Sequence, residues 1–167
     1  MIHFLTAALR MPNLSAGLLM FRQRAGNLEV LLAHPGGPFW TNKDLGSWTI
    51  PKGLIEPAEE ALAAAKREFE EELGVKPEGE FLPLGQVKQK GGKTVVAWAF
   101  ESDCEPTTIK SNTFETEWPP RSGQWQTFPE VDRSAVFSID EARTKINSAQ
   151  AELLSRLEAL VTRDSSE

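Results

Sequence analysis

In the run GLIEPAEEALAAAKREFEEELGV, Gly53 to Val75, three glutamates stand at i, i+3 and i+4: Glu68, Glu71 and Glu72. A helix steps by about 100° per residue, so those carboxylates share one face. Several carboxylates on one arc supply the oxygen ligands that a hard divalent cation such as Mg2+ or Mn2+ takes. Most acidic runs are simply solvated faces, but two penalties weigh against that reading here. Like charges on one arc repel, and Arg67 alone cannot neutralise three of them. They also sit toward the C-terminal end of the helix, where the macrodipole disfavours negative charge. A bound cation offsets both.

The elements that would position this face can be read from the pattern around it. Helix formers dominate Ala58–Leu73, with Pro57 suited to a first helical position and Gly74 to a left-handed end. Leu62, Ala65, Phe69 and Leu73 form an adjacent apolar stripe that can pack on a sheet. Ser15–Arg22 and Leu28–His34 read as a hairpin, as do Leu84–Lys90 and Thr94–Phe100. A Gly- and Pro-rich loop, Pro35–Gly46, leads to a short strand at Ser47–Ile50, and Pro51, Lys52 and Gly53 turn into the helix. Ser102 to Pro129 has no regular period and reads as a long loop with short strands. Two helices close the chain, Asp140–Ile146 with a Ser138/Glu141 capping box and Ala149–Thr162 with a leucine stripe. Residues 1–13 are expected to be an extension, 14–163 one domain and 164–167 a disordered tail. The order of elements suggests an α+β or a layered α/β/α domain.

Gly53, Glu59, Arg67, Glu68, Glu71, Glu72 and Gly74, with apolar Phe69 and Val75, fill every position of a known pattern. The run resembles the Nudix box of the nucleoside-diphosphate-linked hydrolases, and WTIPKG before it is similar to branches of the same family. The resemblance implies an α/β/α sandwich with a mixed central sheet. It implies hydrolysis of a phosphoanhydride in a small nucleotide-linked molecule, helped by Mg2+ or Mn2+. Carried over by position, Glu71 and Glu72 match the principal metal ligands, and Glu68 a residue that binds metal or polarises the attacking water. Arg67 would orient the carboxylates, Glu59 would support them, and the Lys52 or Gly53 carbonyl could face a cation. A downstream acid often completes the site, and Glu130 has the expected position, with Glu115 and Glu117 as competitors. Lys52, Lys90 and Trp48 are the substrate-binding candidates. Lys88 and Lys93 also flank the second hairpin turn, and Phe39, Trp40 and Trp125 could equally stack a base.

Composition narrows the partners. A net charge of −6 argues against a nucleic-acid polymer, which usually meets a basic surface. No apolar run reaches membrane-span length. Cys104 is the one cysteine, which excludes an intrachain disulfide and a Cys-based zinc site. Residues 1–10 lack the basic region and cleavage site of a secretory signal, and a cytoplasmic monomer or homodimer is expected. The substrate is less legible. Gly85–Thr94 has neither the Pro nor the Tyr that marks some branches, while the Pro-Lys-Gly turn leans toward dinucleoside polyphosphates or oxidised nucleotides. Two other classes stay open: a Nudix-like nucleotide sensor without turnover, and a structural protein whose acidic helix meets a basic partner.

Overall fold

Leu14–Arg24 (β1) is apolar and buried from Ala16 to Phe21 because both of its faces are covered there. Leu19 and Phe21 face one core and Leu18 and Met20 the other, the period-2 alternation of a central strand. The computed structural model describes residues 13–105 and 111–165. The expected extension (all but its last residue) and the last two residues of the expected tail lie outside that range.

β1 turns through Ala25 and Gly26, with φ of 51° and 78°, into Asn27–Pro35 (β2), its antiparallel partner. Two positive φ values in a two-residue connection match the twist of the flanking strands. On its other side β1 pairs in parallel with Lys93–Glu101 (β5), which forms the second hairpin with Leu82–Gln89 (β4). The sheet runs β4-β5-β1-β2-β8, where β8 is Val131–Ser138, and Lys52–Leu54 (β3) is a short branch antiparallel to β1. It is therefore mixed, as expected. Thr113–Glu117 (β6) and Trp125–Pro129 (β7) pair separately as a two-stranded ribbon.

Helices cover both faces. Ala61–Leu73 (α1) buries Ala64, Ala65, Phe69 and Leu73 against Leu18, Met20, Leu31 and Phe100. Ile139–Lys145 (α2) and Ala151–Ser165 (α3) bury Ile139, Ala142, Leu153, Leu154 and Leu157 against the opposite face. This is an α/β/α sandwich. Among the described residues, no helix is long and apolar enough to cross a membrane.

Most element ends differ from the sequence reading by one or two residues, and some elements depart further. α1 begins at Ala61 rather than Ala58, because Pro57 and Ala58 form a turn in which Ala58 has a φ of 64°. The Glu59 amide closes that turn on the Glu56 carbonyl at 3.1 Å. The expected strand at Ser47–Ile50 reduces to isolated bridges, Trp48 to Ile146 and Thr49 to Ala33. The true strand is β3, which the PKG sequence disguised as a turn. β8 was not foreseen, since Asp132, Arg133 and Ser134 break its apolar pattern where it forms the sheet edge. α3 spans Ala151–Ser165 where the sequence reading has a helix over Ala149–Thr162. The Ser138 cap is as expected: its Oγ accepts from the Glu141 amide at 3.2 Å.

Candidate active site

The last two turns of α1 carry Glu68, Glu71 and Glu72 across from β3, and Gly74 ends the helix with a φ of 71°. Arg67 is the hub of the cluster. Its Nε and Nη2 each donate to Glu59 at 2.9 Å, and Nη1 donates to Glu68 at 2.8 Å and to Glu71 at 3.3 Å. Nη2 also reaches the Leu54 carbonyl at 3.2 Å, which ties the helix to the end of β3. Glu59 lies just before the helix, where the Arg67 hydrogen bonds hold its carboxyl below the ordinary range. Glu71 accepts a second bond, from Asn112 Nδ2 at 3.3 Å.

Gly53 is needed because Glu68 lies on it. A Cβ built at Gly53 falls 2.0 Å from the Glu68 carboxyl carbon, so any larger residue would push that carboxylate away. Burial raises the affinity of Glu68 for its proton, opposed by Arg67. Glu72 is only 6% exposed. Burial first, then the charge of Glu68, pushes its pKa up to about 8, while the Lys52 ammonium and a hydrogen bond from the Lys52 backbone pull the other way. Lys52 in turn is lowered by burial.

Two adjoining clefts open over this cluster. One, of about 430 Å³, is lined by Lys52, Gly53, Glu68, Lys93 and Glu130 among others. The second, of about 250 Å³, is lined by Trp40, Lys52, Glu72, Gln89, Glu130 and Asn147 among others. Lys52 and Glu130 line both. Glu130 is fixed at the β7–β8 junction by its backbone, its amide donating to Asn112 at 2.8 Å and its carbonyl accepting from Gly36 at 2.9 Å. Its negative charge acts on both Glu68 and Glu72.

The structure thus brings together Lys52, Gly53, Glu68, Glu72 and Glu130 along the two clefts, with Glu71 lining neither and joined to Glu68 through the shared Arg67 guanidinium. It does not bring in Lys90 or Trp48. Lys90 sits exposed on the turn after β4 and lines neither cleft, whereas Lys93, three residues on, does. Trp48 is 4% exposed and works in the core, edge-on to His34 and Phe137 at 5.0 Å with Nε1 donating to Asp44 at 2.8 Å. Glu115 and Glu117, on β6, line neither cleft. Asn112 was not foreseen, and no motif marks it.

Residues 11–157 match the sequence profile of the NUDIX domain. The chain belongs to the Nudix family. The Nudix box is the arrangement just described, with Glu59 and Arg67 bracing the carboxylates and Gly53 making room for one of them. Among proteins of known function, rat bis(5'-nucleosyl)-tetraphosphatase [asymmetrical] is 40% identical over 99 residues, 52% of this chain and 63% of that one. An RNA pyrophosphohydrolase of Erythrobacter litoralis is 44% identical over 62 residues, 34% of this chain and 36% of that one. The chain therefore spans less than two thirds of these relatives' length. A Caenorhabditis elegans Ap4A hydrolase in a binary complex superposes with a TM-score of 0.63 at 22% identity, over 89% of this chain and 98% of that one. The NUDIX domain of Shewanella oneidensis NrtR, bound to ADP ribose, gives 0.65 at 16% identity, over 93% and 92%. Both likenesses concern the fold.

A Nudix helix with these carboxylates makes stability depend on pH. The folded state holds the Glu72 proton more tightly than the unfolded chain, whose pKa is near the ordinary 4.5. That contribution is fully present below pH 4.5 and is lost as the pH rises through about 8. With chelator present, Glu72→Gln should therefore raise the thermal midpoint relative to wild type at pH 8.5, by on the order of 5 °C, and change it little at pH 5. Equal differences at both pH values would contradict the buried, charge-crowded state of Glu72.

Proposed function

We propose that this protein is a divalent-cation-dependent pyrophosphohydrolase that cleaves a phosphoanhydride bond in a nucleoside-diphosphate-linked molecule. Dinucleoside polyphosphates and nucleoside triphosphates, oxidised or not, are the substrate classes that fit. The supporting observation is the gathering of Glu68 and Glu71 by Arg67, with the buried Glu72 carboxyl under the charge of Glu68, beside a cleft that also holds Lys52 and Lys93. The names of the relatives agree with this reaction.

The residues suit a hard cation. Their donors are carboxylate and backbone oxygens, and Gly53 leaves the Glu68 carboxyl room. Among the described residues no three acidic side chains already surround one point, since Arg67 holds Glu68 and Glu71 to itself. Glu71 and Glu72 would hold the ion, with Glu68 and a carbonyl of the Lys52–Gly53 segment beside them. When bound, Mg2+ or Mn2+ polarises phosphate oxygens and offsets the charge that shifts among them during phosphoryl transfer. Lys52 and Lys93 meet the negative charge of the phosphate chain. Glu130 takes a proton as water attacks phosphorus and the anhydride P–O bond breaks. The net charge of −6 favours a small substrate over an RNA polymer.

A screen of diadenosine polyphosphates, nucleoside triphosphates, oxidised nucleotides and 5'-triphosphorylated RNA, with Mg2+ and chromatographic detection of products, tests this reading. Cleavage of a small nucleotide is expected; cleavage of RNA alone would overturn the substrate class. Cation binding should also show without turnover. An ion held only by the folded face stabilises it by mass action, by about 2.7 kcal/mol at a hundredfold excess over Kd, and so raises the thermal midpoint. A midpoint unmoved by millimolar Mg2+, Mn2+ or chelator would favour a merely solvated acidic face.

A further inference from the structure

The loop after β2 carries two adjacent aromatic residues, Phe39 exposed and Trp40 half-buried. Phe39 is 61% exposed, and the Trp40 ring stands edge-on to it at 5.1 Å. Lys43 Nζ lies 3.5 Å from the Phe39 ring centre and 4.9 Å from that of Trp40. The loop itself is firmly built. The Trp40 and Thr41 amides close on the Gly37 carbonyl at 3.2 and 3.1 Å, and His34 Nε2 meets the Lys43 carbonyl at 2.6 Å. Trp40 is thereby fixed at the wall of the 250 Å³ cleft, which shares Lys52 and Glu130 with the carboxylate cleft.

The lining of that cleft also carries two oriented amides. The Ile50 amide donates to Gln150 Oε1 at 2.9 Å, so Gln150, fully buried, has its Nε2 left to donate to Gln89 Oε1 at 3.2 Å. That fixes the Gln89 NH2 as the free donor. Asn147 Oδ1 accepts from the Ala149 amide at 2.9 Å, which leaves its NH2 as the donor too. An indole and two amide donors lining one cleft suit a flat, acceptor-bearing ring.

We propose that the Trp40 cleft is the nucleobase site, with Trp40 as the stacking platform and the Gln89 and Asn147 amides reading acceptor atoms on the base edge. This rests on the hydrolase reading above and deepens it. The polyphosphate would cross Lys52 and Glu130, the residues common to both clefts, with the base at one end of that path. Guanine offers two acceptors, N7 and O6, on one edge, whereas adenine pairs one acceptor with a donor. Two donors therefore favour a 6-oxopurine.

Calorimetric titration with non-hydrolysable methylene-bridged analogues of GDP and ADP tests this, with methylenediphosphonate as a base-free probe. Loss of a base stack corresponds to about a tenfold or greater weakening. Trp40→Ala should weaken both nucleotide analogues by that much and leave methylenediphosphonate unchanged, while Trp40→Phe recovers most of the loss. The GDP analogue should bind more tightly than the ADP analogue. Gln89→Glu, which keeps an acceptor for Gln150 but removes the donor, should erase that preference. Unaltered nucleotide binding in Trp40→Ala, or equal weakening of the base-free probe, would overturn the base site. An ADP preference in the wild type would overturn the amide assignment. The arms separate from the reaction itself: Trp40-dependent binding without hydrolysis sinks the hydrolase reading alone, and hydrolysis indifferent to Trp40 sinks the base site alone.

Discussion

Glu72→Gln should lower kcat by about three orders of magnitude while the protein stays folded. The replacement is nearly isosteric, and the buried position of Glu72 against β3 and the Lys52 backbone is kept. What is lost is a charged oxygen ligand. A correctly held cation is worth several kcal/mol of transition-state stabilisation, and each 1.36 kcal/mol is about tenfold in rate. Glu71→Gln should act in the same direction. Its carboxylate is shared with Arg67 and Asn112, so this substitution also loosens the brace around Glu68. Circular dichroism should report a native fold for both, because removing one of three like charges relieves repulsion. Wild-type turnover in both variants at saturating Mg2+ would remove these residues from the reaction.

Glu130→Gln should reduce kcat by about a hundredfold or more, the usual contribution of a positioned general base, with little change in KM. That split marks an interaction made mainly in the transition state. Glu130 lines both clefts and acts electrostatically on Glu68 and Glu72. Glu117 is the natural control, an acid from the same stretch of chain that lines neither cleft. Glu117→Gln should behave as wild type. A crippled Glu117 variant beside an unaffected Glu130 variant would contradict the placement of the acid.

The legible part of the site was the part written locally. Glu68, Glu71 and Glu72 lie within five residues, so helical periodicity alone places them on one face, and Gly74 needs only its own φ to end the helix. Both hairpins were legible for the same reason, apolar runs separated by Gly-containing turns. What was not legible depends on distant partners. Nothing in WTIPKG says that Lys52–Leu54 will pair with β1, since a strand of three residues has no period to detect. Trp48 and Trp40 are the same residue type eight positions apart. Only the packing of Trp48 on His34 and Phe137 separates the core indole from the one at the cleft. Lys90 and Lys93 differ likewise by which side of a turn they occupy. Asn112 reaches Glu71 across 41 positions of sequence, a contact that no local pattern encodes.

The central claim is that the carboxylate face of α1 is a cation site in the service of phosphoanhydride hydrolysis. Its most direct test is the initial rate of cleavage of diadenosine tetraphosphate, with wild type and Glu72→Gln assayed side by side in Mg2+ and in chelator. The account predicts turnover by the wild type in Mg2+, its loss in chelator and recovery when Mg2+ is restored, and a rate about a thousandfold lower in the variant. Turnover that persists in chelator, or that is the same in the two proteins, would contradict it.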